Sequence, residues 1–299
     1  MTDTAQSRKS KEQDREVRKD ALLQRMVRPQ SLIFTIYGAY SRSIGGWMSV
    51  GALLELLREI GVEDAAVRSA LSRFKRRGVL LSENRYGLAG YALSPSARKA
   101  FDTGDARVLE RRESPSSDRW VLVAFSIPEK SRDLRYRLRS RLSRVGFAQV
   151  TGGLWIAPEG LEADARLVIE SLGVSQHVDV FRSEHVAFRS LPDAVGGWWD
   201  LDSIASEYTD FATSFAPLKH DYQSGVVSMT ALQAFIDYTR VLTSWRPLPY
   251  RDPGLPAAHL PPEWAGIQGT EVFFYFYDSL SALAQEHVVD VCTARNSGS

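Results

Sequence analysis

Between residues 63 and 78 the chain reads EDAAVRSALSRFKRRG, a stretch whose polar residue types suit contact with a nucleic acid. At about 100° per residue, Val67, Ala70, Leu71 and Phe74 share one side of a helix. Ser69, Ser72, Arg73 and Arg76 share the other side, flanked by Arg68 and Lys75. Arginine pairs bidentately with guanine, short hydroxyl side chains take base edges or phosphate oxygens, and lysine accepts any phosphate. Glu63 and Asp64 stand where a helix N-terminus favours negative charge, and Gly78 follows the last basic cluster as a stop. A solvated amphipathic helix with a charged outer face is the competing explanation of the same residues.

A reading helix works only if other elements hold it. Upstream, Ser31 to Arg42 and Ser49 to Gly61 have the spacing of two further amphipathic helices, the second with Leu53, Leu54, Leu57 and Ile60 on its apolar face. Downstream, Gly78 to Asn84 and Gly90 to Ser94 are β-prone and separated by RYGLA, which predicts a hairpin with Arg85 and Tyr86 at its tip. Helix, helix, reading helix and hairpin predict a winged helix-turn-helix over residues 28–112. Its third helix would enter the major groove, and Arg85 and Tyr86 would lie along a neighbouring backbone or minor groove. A short helix starting at a Ser-Pro cap is expected within Ser94 to Arg112.

The whole chain of 299 residues exceeds one ordinary domain, and its formal charge of +1 excludes a protein coated in cations. Cys292, the one cysteine, cannot close an intramolecular disulfide, and no Cys and His spacing suggests a zinc site, so no metal or cofactor is expected. Neither a signal peptide nor an apolar run of transmembrane length is visible, which predicts a cytoplasmic protein without a membrane partner. Residues 1–27 read as a disordered, solubilising arm.

After a linker at Glu113 to Asp118, a strand is expected over Arg119 to Pro128, a basic helix over Ser131 to Gly146 and a strand over Phe147 to Pro158. A helix over Leu161 to Leu172 and a strand over His177 to Ala187 complete a ferredoxin-like α+β domain at 119–190. Such a domain can serve as a metal-dependent nuclease, which needs carboxylates at a strand end. Here the strand ends in Phe125, Ser126, Ile127 and Pro128, and Glu129 and Asp133 suit helix N-terminal charge. The arginines of the basic helix fit a solvated or dimer-facing surface, or an auxiliary DNA contact.

Residues 196–292 alternate helical stretches with a proline-rich passage from Pro247 to Pro262, which predicts a mainly helical domain with one long loop. Arg240, Arg246 and Arg251 stand near Trp245 and Tyr250, and guanidinium groups with aromatic walls can take the phosphates of an acyl-CoA and its aryl ring. Core packing competes for Trp245, and a loop staple for Arg251. No G-x-S-x-G elbow is present and the five histidines show no triad spacing, so no catalytic residue is assigned. Besides a nuclease, a non-specific nucleic-acid scaffold is the other alternative, marked by equal, salt-sensitive binding to any duplex.

The chain resembles the PaaX family of bacterial transcriptional repressors, named for control of phenylacetate catabolism. The resemblance rests on SLIFTIYGAY, VRSALSRFKRRGVL, RWVLVAF with GGLWIAP, and above all WWDLDSIASEYTDF and SWRPLPYRDPGLPAAHLPPEWAG. It implies a winged helix, a central domain similar to the ferredoxin-like subunit of CRISPR spacer-acquisition complexes, and a helical C-terminal domain. It further implies a homodimer on palindromic operator DNA, released by an aryl-CoA thioester such as phenylacetyl-CoA, with Arg68, Ser69, Ser72, Arg73 and Arg76 as DNA-reading residues. Two departures stand out. Where the family often has a histidine, this chain reads Thr243, Ser244, Trp245 and Arg246, and Arg85 is the only cation of its wing.

Overall fold

The computed structural model describes residues 28–110, 119–186 and 188–297, so the expected arm at 1–27 and the linker at 113–118 lie outside the described residues. Helix α1 (Pro29–Tyr40) starts on a proline, whose missing N–H costs nothing at the first helical position. A three-residue strand β1 (Trp47–Ser49), not anticipated from the sequence, leads into α2 (Val50–Glu59), where Ser49 Oγ caps the helix by accepting from Ala52 N at 3.2 Å. Helix α3 (Asp64–Arg76) follows after a short turn, then strands β2 (Leu80–Arg85) and β3 (Leu88–Leu93). The hairpin is tighter than the expected RYGLA separator, because Tyr86 and Gly87 alone make the turn, both with left-handed φ of 55° and 76°. That conformation matches the twist of the strands. The three strands form an antiparallel sheet in the order β1-β3-β2. Gly90 permits this, since a Cβ there would fall 2.4 Å from the Met48 carbonyl oxygen. Ser94 then caps α4 (Pro95–Leu109) through Ala97 N at 3.3 Å.

The middle of the chain runs β4 (Arg119–Phe125), α5 (Arg132–Arg144), β5 (Ala148–Thr151), β6 (Leu154–Pro158), α6 (Glu162–Leu172) and β7 (Val178–Glu184). Its sheet is antiparallel throughout, in the order β5-β6-β4-β7. The single strand expected over Phe147 to Pro158 is broken into a hairpin at Gly152 and Gly153. Gly153 lies against β4, where a Cβ would come within 2.8 Å of the Phe125 carbonyl oxygen. The last strand ends at Glu184, short of the expected Ala187, which lies outside the described residues. One side of the sheet packs Val121 and Val123 against Leu138 and Leu142 of α5 and Ala165 and Ile169 of α6. On the other side Trp120 stacks on Trp199, which follows α7 (Leu191–Trp198), with ring centroids 6.0 Å apart.

The remaining helices are α8 (Leu201–Gln223), α9 (Ala231–Trp245), α10 (Leu248–Arg251) and α11 (Ala265–Ser297). The chain divides into two units, and the segment expected as a separate C-terminal domain is shared between them. The first unit holds 28–109 together with 208–246 and 266–297; the second holds 110–207 and 247–265. Within the first, α9 lies against α1 through two buried hydroxyl pairs, Tyr40 with Thr239 and Thr243 with Thr35, each at 2.9 Å. Trp245 closes this core, stacked on Phe273 at 4.5 Å with its Nε1 donating to the Val108 carbonyl. Among the described residues no helix is long and apolar enough to cross a membrane.

Candidate nucleic-acid interface

Helix α3 forms as its pattern predicts. Val67, Ala70 and Leu71 are buried, which fixes the rotation of the helix and turns the opposite side outward. Arg68, Ser69, Ser72, Arg73, Lys75 and Arg76 are all exposed. Among the described residues, the four cations of this set have no hydrogen bond or ion pair. A guanidinium with no internal partner keeps its donors for a ligand. The one acid of the first turn, Asp64, is taken by Arg58 of α2 at 2.9 Å from both oxygens, so it does not compensate the α3 cations. Arg77 is equally exposed and unpaired among the described residues. Sequence reasoning passed over it because it sits at the helix C-cap, where the face assignment ends. Phe74, placed on the apolar side, is only half-buried and lines a small apolar crevice with Ile33, Phe34, Leu80 and Phe101.

The hairpin tip is built differently. Arg85 donates to both carboxylate oxygens of Glu83, at 2.8 and 3.1 Å, and lies over the Trp47 ring at 5.9 Å. These hydrogen bonds hold the Glu83 carboxyl below its ordinary range. The wing cation is therefore already neutralised. Tyr86 is 72% exposed with a left-handed φ and meets only the edge of Trp47, at 6.1 Å, among the ring contacts. A bulky residue in that conformation is strained, so packing alone does not account for an exposed aromatic there.

The five candidate effector residues fall in both units. In the first, Arg240 donates to the Ile60 carbonyl at the end of α2 at 2.9 Å. Trp245 is 3% exposed inside the aromatic core. Arg246 is nearly as buried, its guanidinium 5.0 Å from the Phe34 ring and 5.2 Å from that of Phe101. In the second, Tyr250 is half-buried, and the exposed Arg251 is paired with Glu207 rather than with the neighbouring Asp252. Asp252 instead accepts from Gly254 N at 2.8 Å, closing its own turn. No group of three or more His, Cys, Asp or Glu among the described residues is placed to hold a metal ion.

The fold is thus a mixed α+β one, with two small antiparallel sheets and a helical C-terminal part joined to the cationic α3 module. Models of three domains match the chain: the PaaX-like protein over residues 28–97, the PaaX protein central Cas2-like domain over 113–195, and the PaaX-like protein C-terminal domain over 199–290. The chain belongs to the PaaX family. It is 26% identical over 259 residues to the transcriptional repressor PaaX of Escherichia coli (strain K12), covering 85% of this chain and 81% of that one. Among solved structures, the uncharacterized protein Rv0674 from Mycobacterium tuberculosis is similar in fold. Its TM-score is 0.55 at 20% identity, over 88% of this chain and 99% of that one.

Proposed function

We propose that this protein is a DNA-binding transcriptional repressor of an aromatic-compound catabolic operon. The observation that carries the reading is the outer face of α3, where Arg68, Arg73, Lys75 and Arg76 are exposed without partners among the described residues on a helix anchored from behind. In this reading α1 to α3 with β1 to β3 are a winged helix-turn-helix, and α3 enters the major groove. Arg68, Ser69, Ser72, Arg73 and Arg76 meet base edges, Lys75 meets phosphate, and Arg85 and Tyr86 lie along the adjoining backbone. The similarity to a protein named a transcriptional repressor supports the direction of the effect. The β4 to β7 order supports a ferredoxin-like domain in the second unit.

The protein acts as a homodimer on a palindromic operator, since two half-sites give a specificity that one short helix cannot. The second side of the β4 to β7 sheet, where Phe181 is 52% exposed beside Leu122, is apolar surface of the kind a second copy covers. An aryl-CoA thioester releases the operator by binding better to a dimer geometry in which the two α3 helices miss the half-site spacing. Arg240, Trp245 and Arg246 are taken up by the core of the first unit, so only Tyr250 and the exposed Arg251, both in the second unit, are assigned to that effector.

The test is fluorescence anisotropy with the DNA upstream of the protein's own gene against a scrambled duplex, at fixed salt, with and without a panel of aryl-CoA thioesters. Preference for the upstream DNA, relieved by one thioester, is the expected result. Equal, salt-sensitive binding to both duplexes with no response to ligand overturns the repressor reading. Unchanged folding and unchanged ligand release after Arg251→Ala removes the effector assignment.

A further inference from the structure

Helix α5 concentrates positive charge to a degree its fold does not require. Its thirteen residues contain six arginines and one aspartate, in a chain whose formal net charge is +1. Arg135 and Arg139, and likewise Arg137 and Arg141, are four residues apart, where like charges destabilise a helix.

The six arginines separate by what they touch. Arg135 donates to the Ile127 carbonyl at 2.8 Å and to Glu129 at 2.9 Å. Arg139 donates to the Gly152 carbonyl, and Arg141 to Ser171 Oγ at 2.7 Å. These three flank the buried Leu138 and Leu142 and tie the helix to its neighbours. Arg132, Arg137 and Arg144 lie on the outer arc, exposed and without a partner among the described residues. Tyr136, 75% exposed, and the exposed Ser140 and Ser143 share that arc; Asp133 in the first turn is its one carboxylate.

The spacing selects the ligand class. From Arg132 to Arg144 the helix rises about 18 Å at about 1.5 Å per residue, so the three guanidiniums cannot converge on one phosphate. They suit successive phosphates of an extended polyanion, with the tyrosine and serine hydroxyls as further phosphate donors. The arc carries no aliphatic side chain to enter a bilayer, which argues against a membrane surface.

We propose that the outer face of α5 is a second, sequence-independent contact to the phosphate backbone of duplex DNA. The proposal rests on the DNA-binding reading above and adds to it a contact from the second unit.

The test measures anisotropy of full-length protein on operator and scrambled duplexes from about 50 to 300 mM salt, where each phosphate contact contributes about 0.9 to the slope of log K against log salt. Three proteins are compared: wild type, Arg132→Ala/Arg137→Ala/Arg144→Ala, and Arg73→Ala/Arg76→Ala. The α5 variant is expected to melt as wild type, to weaken on both duplexes by a similar factor, and to lose about 2–3 from the slope, with its operator preference kept. Lysine at the same three positions should restore the slope, because phosphate recognition needs charge and not the guanidinium fork. The α3 variant should lose preference while keeping its α5-dependent slope. A wild-type slope and affinity in the α5 triple variant, with operator binding intact, overturns this proposal alone. So does a change in its sedimentation mass, which would make the face an interface between copies. Failure of the wild-type protein to bind any duplex overturns both readings.

Discussion

Arginine is used in two ways within the first unit. On α3, Arg68, Arg73 and Arg76 are exposed and have no partner among the described residues. On α9 and just beyond it, Arg240 is spent on the Ile60 carbonyl and Arg246 is buried over Phe34 and Phe101. Both groups look alike in the sequence, cations beside apolar and aromatic residues. What separates them is whether the fold has already satisfied the guanidinium. A satisfied one stabilises the protein, and an unsatisfied one costs nothing to redirect to a ligand.

The largest expected effect tests the internal side of this contrast. Trp245 stacks on Phe273 and donates to the Val108 carbonyl, so it joins α9, α11 and α4 in one core. Trp245→Ala should destabilise the first unit by about 3–5 kcal/mol, read from urea unfolding. A loss under about 1 kcal/mol would show that the C-terminal helices are not part of the core that carries α3.

Cys292 on α11 reports on the same core without a cavity. Burial, with a smaller contribution from the Glu55 charge, pushes its thiol up to about 11 from an ordinary 9.0. Stability is unaffected below about pH 9, where folded and unfolded chains both keep the proton. It falls between about pH 9 and 11, because the unfolded chain can then ionise and the folded one cannot. At pH 8 a thiol reagent should therefore modify native Cys292 about 100-fold more slowly than the urea-unfolded chain. Equal rates would mean that this face of α11 is not packed against α1 and α2.

The external side of the contrast is tested by Arg73→Ala and Arg76→Ala. Each should weaken operator binding by about 1–3 kcal/mol in anisotropy titrations and leave the urea midpoint unchanged, since neither side chain has a partner among the described residues to lose. Retained operator affinity in both variants would reassign α3 as a solvated face.

How far the sequence reached follows from the range of each signal. Helix α3 was legible because its apolar side, its acidic start and the Gly78 stop are all local. The same holds for the β4, α5 and α6 elements, and for the split of its cations from its core. Strand β1 was not legible: three residues carry no periodicity, and Trp47 and Met48 acquire strand geometry only by pairing with Ala92 and Tyr91 of β3. The break at Gly152 and Gly153 is set by contact with β4, again a distant partner. The membership of α9 in the first unit depends on Thr239 and Thr243, whose hydroxyls look like solvent-facing polar positions until they are seen to bond Tyr40 and Thr35 of α1 across the helices. For the same reason Arg240 and Arg246 read as a ligand site, since nothing local shows that a carbonyl and two rings already occupy them.

The hairpin tip lies between the two uses of arginine and offers the finest test. Arg85 is the wing's one cation, and its donors are held by Glu83 two residues away on the same strand. If the wing approaches a phosphate backbone, Glu83 opposes it twice, by repelling phosphate and by occupying the guanidinium. Glu83→Gln removes the charge and keeps the side-chain length, so Arg85 loses its ion pair and keeps only neutral contacts, among them the Gly45 carbonyl at 3.3 Å and the Trp47 ring. DNA binding should then tighten modestly, by less than about tenfold, with a salt slope steeper by up to about 0.9 and the operator preference unchanged. The fold should hold, because the pair is solvent-facing and such pairs add little to stability. An unaltered affinity and slope in the variant would place the wing away from the backbone, leaving α3 as the contact that the first unit makes.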